Sequence, residues 1–142
     1  MPDVIIIGGG IIGMLTSRAL HAAGADVLVI ERGPLGGESS WAGGGIISPL
    51  YPWRYSSAVS QLAEISKTIY PGLAQQLQQE SGVDCELISS GLLFTDLQEQ
   101  QQAQDWARTW SVDVQTIADT EQIHAIEPQL STTIDSGLWL PD

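Results

Sequence analysis

An α/β fold is what this sequence predicts, and three features near its N-terminus predict it. Val4-Ile5-Ile6-Ile7 is a short apolar run with the β-branched content of a strand. Gly8-Gly9-Gly10-Ile11-Ile12-Gly13 follows at once and opens into a helix-like stretch. A second apolar run, Val27-Leu28-Val29-Ile30, ends in Glu31, eighteen residues beyond Gly13. Strand, glycine turn, helix, strand and acid are laid out as in a Rossmann-like, dinucleotide-binding βαβ unit. Gly8 permits the tight turn, Gly10 lets backbone approach a pyrophosphate, and Gly13 lets the helix pack close to the strand. The first amides of the helix have no acceptor within it and face the phosphates, while Glu31 accepts hydrogen bonds from a ribose hydroxyl.

The remaining elements follow in order. Both early strands are apolar at consecutive positions, which predicts burial on both faces, as in a parallel sheet covered by helices. The helix between them spans about Ile11 to Ala23, apolar at Ile12, Leu15, Ala19 and Leu20, and Gly24 stops it. The segment from Arg32 to Ser57 is rich in glycine and proline, with Gly43-Gly44-Gly45 at its centre. It also carries Trp41, Tyr51, Trp53 and Tyr55, so it reads as a functional loop packed against something rather than a solvated linker. A helix is predicted from Ala58 to about Ser81, kinked or split at Pro71 and ended by Gly82. Glu86-Leu87-Ile88 and Leu92-Leu93-Phe94 read as short strands around Ser89-Ser90-Gly91. Gln98 to Trp110 reads as a helix with a solvated glutamine face, its Trp106 and Trp110 four apart on the core side. Asp119 or Thr120 caps a last short helix ending before Pro128, and Thr132 to Leu140 reads as a final strand.

Charge and reactive residues narrow the function. The chain holds 5 basic and 17 acidic residues, a net charge of −12. Through Lys67 the balance is close to neutral; from Thr68 onward Arg108 is the only basic residue. Such acidity argues against nucleic acid or an anionic membrane as partner. Cys85 is the sole cysteine, so no internal disulfide forms. It has no basic neighbour in sequence and reads as a buried thiol in a cytoplasmic protein. Val4 to Leu15 is interrupted by glycines, preceded by Asp3 and too short to span a bilayer, which argues against a signal peptide or membrane span. His21 and His124 lack companions at ligand spacing, so no metal site is expected. Gly37-Glu38-Ser39-Ser40-Trp41 does not fit a nucleophile elbow, and Lys67 follows no phosphate-binding loop. No residue stands out as catalytic.

Three runs together carry a resemblance: Ile7-Gly8-Gly9-Gly10-Ile11-Ile12-Gly13, Ile30-Glu31-Arg32-Gly33, and the long run from Gly37-Glu38-Ser39-Ser40-Trp41 through Gly43-Gly44-Gly45-Ile46-Ile47 to Tyr51-Pro52-Trp53. They resemble the N-terminal part of the FAD-dependent amine oxidoreductases related to D-amino-acid oxidase, and the third run is similar to the glycine oxidases of thiamine biosynthesis. The resemblance implies an FAD cofactor whose pyrophosphate lies along Gly8, Gly10, Ile11, Ile12 and Gly13. It implies Glu31 on the adenosine ribose with Arg32 beside the adenine end, and Ser39 and Ser40 on the phosphates. Gly44, Gly45 and Ile46 would pass beside the isoalloxazine ring. Small residues there suit a flat ring, which backbone without side chains approaches most closely.

The resemblance further implies residues 1–84 as the first segment of an FAD-binding domain and residues 85–142 as the first segment of an α+β substrate domain. These enzymes run to more than twice this length and place their substrate arginine and aromatic hydroxyls in the later half, so the chain reads as incomplete relative to them. Two readings stay open. One is the N-terminal part of an FAD-dependent oxidase of glycine or a small amine, passing hydride to FAD and electrons to oxygen; a D-amino-acid dehydrogenase or sarcosine oxidase relative is a variant of it. The other is a truncated, non-catalytic fragment that at most binds FAD. A small amine or amino acid is the implied partner, and a homo-oligomer is left open.

Overall fold

β1 (Val4–Ile7), α1 (Ile11–Ala22) and β2 (Val27–Ile30) form where the apolar runs and the glycine turn place them, in a computed structural model that describes residues 1–141. The strands pair in parallel, Val4 opposite Val27 and Ile7 opposite Ile30. A parallel pair needs a crossover, and α1 supplies it. The helix ends where the sequence says: Gly24 takes φ +93° and its amide donates to the His21 carbonyl at 2.9 Å. Burial of the strands on both faces is not what the structure shows. Val4, Ile6, Val27 and Val29 are half-buried towards α1, whereas Ile5, Ile7, Leu28 and Ile30 are exposed, Ile7 to 88%. Among the described residues this sheet has two strands and one covering helix, so side-chain alternation leaves every second position uncovered.

By its contacts the chain divides into two compact units, Met1–Ile47 and Ser48–Asp142. The first holds the βαβ unit and the glycine-rich segment, in which one helical turn, α2 (Ser39–Ala42), interrupts the loop. The second opens on a 3-10 turn, Pro52–Arg54, and continues with α3 (Ser57–Ser81), β3 (Leu92–Phe94), α4 (Gln100–Trp110), β4 (Gln115–Ile117), α5 (Thr120–Ile126) and β5 (Gly137–Leu140). α3 runs through Pro71 as one helix rather than two. The missing amide costs the Lys67 carbonyl its donor, and the turns on either side carry the helix past it. Gly82, at φ +73°, closes it with its amide on the Gln78 carbonyl at 2.8 Å.

β5 is the central strand of an antiparallel sheet in the order β3-β5-β4. Leu93 lies opposite Trp139 and Thr116 opposite Leu138. Three expectations change here. Glu86-Leu87-Ile88 is not a strand; Leu87 and Ile88 are exposed and Glu86 sits at φ +54°. The last strand is confined to Gly137–Leu140, because Thr132 to Ser136 forms turns and coil. Gln115–Ile117, with one apolar residue, pairs as a strand that the sequence did not announce. Cys85, expected to be buried, is exposed: the coil around it has no strand to fold it under.

Phe94, Ala103, Leu138 and Leu140 form the core of the second unit, with Tyr51, Trp53 and Trp106 packed against them. Two of the four loop aromatics, Tyr51 and Trp53, go here, whereas Trp41 and Tyr55 are exposed. Trp53 and Phe94 meet edge-on at 4.9 Å between ring centres, and Tyr51 lies 5.0 Å from Phe94. Trp53 Nε1 and Arg54 Nε donate to the same carboxylate oxygen of Glu99, at 2.6 and 2.8 Å. The Arg54 and Trp53 donors hold the Glu99 carboxyl below its ordinary pKa, and Glu99 in turn raises that of Arg54. Tyr51 takes a left-handed conformation at φ +52°, costly for a bulky residue unless its surroundings over-determine it; its ring packs on Trp53 and Phe94 and lies 4.0 Å beneath the Arg54 guanidinium.

α5 starts as its sequence requires. Asp119 is the N-cap, its carboxylate accepting from the Glu121 amide at 3.0 Å. Asp119→Ala is expected to cost about 1 kcal/mol of stability, read from a denaturant titration, with Asp119→Asn nearly neutral.

Candidate dinucleotide site

The first unit builds its site at the carboxyl end of β1, where the chain turns into α1. Gly8 takes φ +107°, a conformation that favours glycine, and its amide donates to the Ile30 carbonyl at 2.8 Å, locking the turn to the end of β2. Gly13 lies so close beneath this turn that a Cβ on it would sit 2.0 Å from the Gly8 carbonyl oxygen. That contact is the close helix–strand approach expected of the last glycine. Gly10 is the N-cap of α1 and has no side chain to cap with. Ser40 supplies part of the missing cap, its Oγ accepting from the Ile11 amide at 2.8 Å. The amides of Ile12 and Gly13 have no acceptor within the helix and lie in its first turn, with the positive end of its dipole behind them.

Two cavities adjoin this turn, both within the first unit. The larger, about 880 Å³ and open, is lined by Gly8, Gly10, Ile11, Ile12 and Gly13 on one side and by Ser39, Ser40, Gly45 and Ile46 on the other. The smaller, about 160 Å³, is lined by Glu31, Glu38, Ser39 and Ser40 with Gly8 and Gly10. Ten of the twelve residues proposed from sequence line one or both cavities. Gly44 lies between lining residues without lining either. Nor does Arg32 line them; its guanidinium is paired with Glu38, Nε to Oε1 at 3.1 Å.

Glu31 is held firmly. Its Oε2 accepts from the Gly9 amide at 2.7 Å and its Oε1 from the Gly33 amide at 2.9 Å. The Gly9 bond, then the Gly33 bond, lower its pKa below the ordinary carboxylate value. The contribution of these bonds to folding is therefore complete above the ordinary carboxylate range and is lost only as pH falls through the lowered value. An ionised acid in a fixed place accepts hydrogen bonds from a sugar diol.

Several site residues were not singled out from sequence. Gly9 donates to Glu31, and its missing Cβ makes room for Leu35 Cδ2, 2.4 Å from where that Cβ would be. The Gly36 amide donates to the Gly9 carbonyl at 2.8 Å, tying the loop across the glycine turn. Met14, Trp41 and Ile47 give the larger cavity an apolar wall, Trp41 being 84% exposed. An aromatic inside a glycine-rich run was the available signal for Trp41; nothing local marked Leu35 or Gly36.

These residues fit FAD. Glycine cradle, helix-end amides and two serine hydroxyls suit a pyrophosphate; the fixed acid suits a ribose; the larger cavity, apolar and floored by small residues, suits a broad flat ring. Fold and site thus define a dinucleotide-binding α/β protein. Residues 3–142 match the family described as DAO, FAD dependent oxidoreductase, and the chain belongs to that family, whose cofactor is FAD. It is 44% identical over 137 residues to a glycine oxidase of Pseudomonas aeruginosa, covering 96% of this chain and 37% of that protein. It is 50% identical over 105 residues to a glycine oxidase of Pseudomonas putida, covering 74% of this chain and 29% of that protein. The crystal structure of glycine oxidase from Bacillus cereus superposes with a TM-score of 0.85 at 27% identity, over 100% of this chain and 39% of that one. The chain therefore spans less than two fifths of the length of these relatives. Among the described residues no helix is long and apolar enough to cross a membrane.

Proposed function

We propose that this chain is the N-terminal part of an FAD-dependent amine oxidase acting on glycine or a similarly small amine. Residues 1–84 are its first flavin-binding segment and residues 85–142 its first substrate-domain segment, in the setting of thiamine biosynthesis. The observation that carries the reading is the convergence of the α1 amides, the Ser40 hydroxyl and the doubly anchored Glu31 carboxylate on adjoining cavities. Gly8, Gly10, Ile11, Ile12 and Gly13 hold the pyrophosphate, with Ser39 and Ser40 donating hydroxyl protons to it. Glu31 holds the adenosine ribose, and Arg32 stands at the adenine end. Gly44, Gly45 and Ile46 offer backbone to the isoalloxazine. When bound, FAD supplies the two-electron oxidation of the amine, with oxygen as final acceptor and peroxide released. Likeness to glycine oxidases supports glycine as the amine. The exposed face of Ile5, Ile7, Leu28 and Ile30 favours a second reading for these 142 residues alone, a flavin-binding piece without turnover.

The test compares FAD with FMN, which lacks the adenosine ribose. FAD should bind and quench its fluorescence, and Glu31→Gln should weaken FAD by about tenfold while leaving FMN unchanged. Absence of FAD binding would overturn the cofactor assignment, and equal loss for both flavins would remove Glu31 from the ribose. Glycine-dependent peroxide release from the same 142 residues would eliminate the second reading.

A further inference from the structure

The smaller cavity carries an element that the proposed function leaves unused. Glu31 and Glu38 both line it, from opposite ends of the segment that folds back over the glycine turn. Arg32 follows directly after the ribose acid, and a guanidinium near that position is what a dinucleotide site uses to accept a phosphate on the 2′-oxygen. Here that guanidinium is engaged. Glu38 Oε1 accepts from both Arg32 Nε, at 3.1 Å, and Arg32 Nη2. The pair neutralises the cation at the cavity that Glu38 lines, while Glu31 accepts from the Gly9 and Gly33 amides.

We propose that Glu38 is a specificity-determining residue of the ribose end: by holding Arg32, it makes the cavity accept a free ribose diol and reject a 2′-phosphorylated one. This rests on the reading that the first unit takes a dinucleotide, and it goes beyond that reading by naming what the site excludes. The physical terms are simple. A 2′-phosphate brings about two negative charges at neutral pH towards the Glu31 carboxylate, and the Arg32 guanidinium that follows it is already neutralised by Glu38. A sugar hydroxyl meets neither penalty. The pair is well exposed, at 81% and 68% of the two side chains, so its influence is moderate and depends on salt.

Calorimetric titration of the whole chain with ADP-ribose and with 2′-phospho-ADP-ribose tests this. The native chain should prefer ADP-ribose. Glu38→Gln should narrow that preference by about threefold to fivefold at low salt, chiefly by tightening the phosphorylated ligand, and high salt should erase most of the change. Arg32→Gln in the Glu38→Gln background should restore the preference, because the freed guanidinium is what receives the phosphate. A purely structural role for Glu38 would weaken both ligands together, with no salt signature. An unchanged preference in Glu38→Gln, with ADP-ribose still bound, would overturn the proposal and leave the dinucleotide reading standing. Binding of neither ligand by the native chain would overturn both.

Discussion

Gly13→Ala should abolish FAD uptake and lower the melting temperature of the first unit, the largest effect we expect from a single methyl group in the site. The added Cβ would lie 2.0 Å from the Gly8 carbonyl oxygen and 3.1 Å from its carbonyl carbon. Both atoms are backbone, in a turn already committed to φ +107° and bonded to the Ile30 carbonyl. No rotamer change relieves such a clash, so α1 must move away from β1. Overpacking of this kind costs about 1–3 kcal/mol, against roughly 5–15 kcal/mol for a whole domain. The functional loss should be larger than the stability loss. Displacing α1 shifts the Ile12 and Gly13 amides together and strains the Ile11 bond to Ser40, and misplacement by about an ångström removes the geometry on which anion binding at a helix end depends. Gly10→Ala makes the contrast. Its Cβ would meet Ser40 Oγ at 3.1 Å, a side-chain atom that can give way by a few tenths of an ångström. That variant should keep its melting temperature and bind FAD more weakly. Flavin fluorescence titration and thermal unfolding, run on both variants, separate the cases; equal melting temperatures would remove Gly13 from the helix–strand contact.

The parts of this fold that could be read from sequence are those whose local signals agree with one another. β1, α1 and β2 carry apolar runs, a glycine turn and a helix stop in register, and they form within a residue of where those signals place them. Asp119 was legible for the same reason, a capping side chain directly before a helical pattern. β4 was not, because Gln115-Thr116-Ile117 has no strand signal of its own and is recruited by the central strand β5. Leu87 and Ile88 err in the opposite direction: strand formers that find no partner strand remain coil. The candidate site divides similarly. Its glycines and acid are spaced by local geometry, whereas Leu35 against Gly9 and Gly36 on the Gly9 carbonyl are long-range contacts that no nearby residue announces. The expectation that the loop aromatics pack holds for Tyr51 and Trp53 but not for the exposed Trp41 and Tyr55; the partners Phe94 and Glu99 are distant in sequence, so no local signal names them.

In the second unit the most damaging small change should be Gly91→Ala, and the reason separates into two terms that other glycines measure individually. Gly91 takes φ +67° directly before β3, a region that costs an L-residue about 1–2 kcal/mol. Its hydrogen also faces the indole of Trp139, so a Cβ there would stand 2.2 Å from Cη2, 2.7 Å from Cζ2 and 2.6 Å from the Leu140 carbonyl oxygen. Trp139 lies on the central strand β5 opposite Leu93 and between the buried Leu138 and Leu140, so it cannot swing aside without disturbing the sheet. Overpacking adds about 1–3 kcal/mol. Gly82 takes φ +73° with nothing within 4 Å of its Cβ position, so Gly82→Ala carries the conformational term alone. Gly72 lies inside α3, also with open space and without a positive φ, so Gly72→Ala should stabilise by about 0.5–1 kcal/mol through helix propensity. Urea titrations followed by tryptophan fluorescence should therefore rank the three variants with Gly91→Ala least stable, Gly82→Ala between, and Gly72→Ala above the parent. Equal losses at Gly91 and Gly82 would mean that the Trp139 ring moves freely, and the tight seating of β3 against β5 would have to be abandoned.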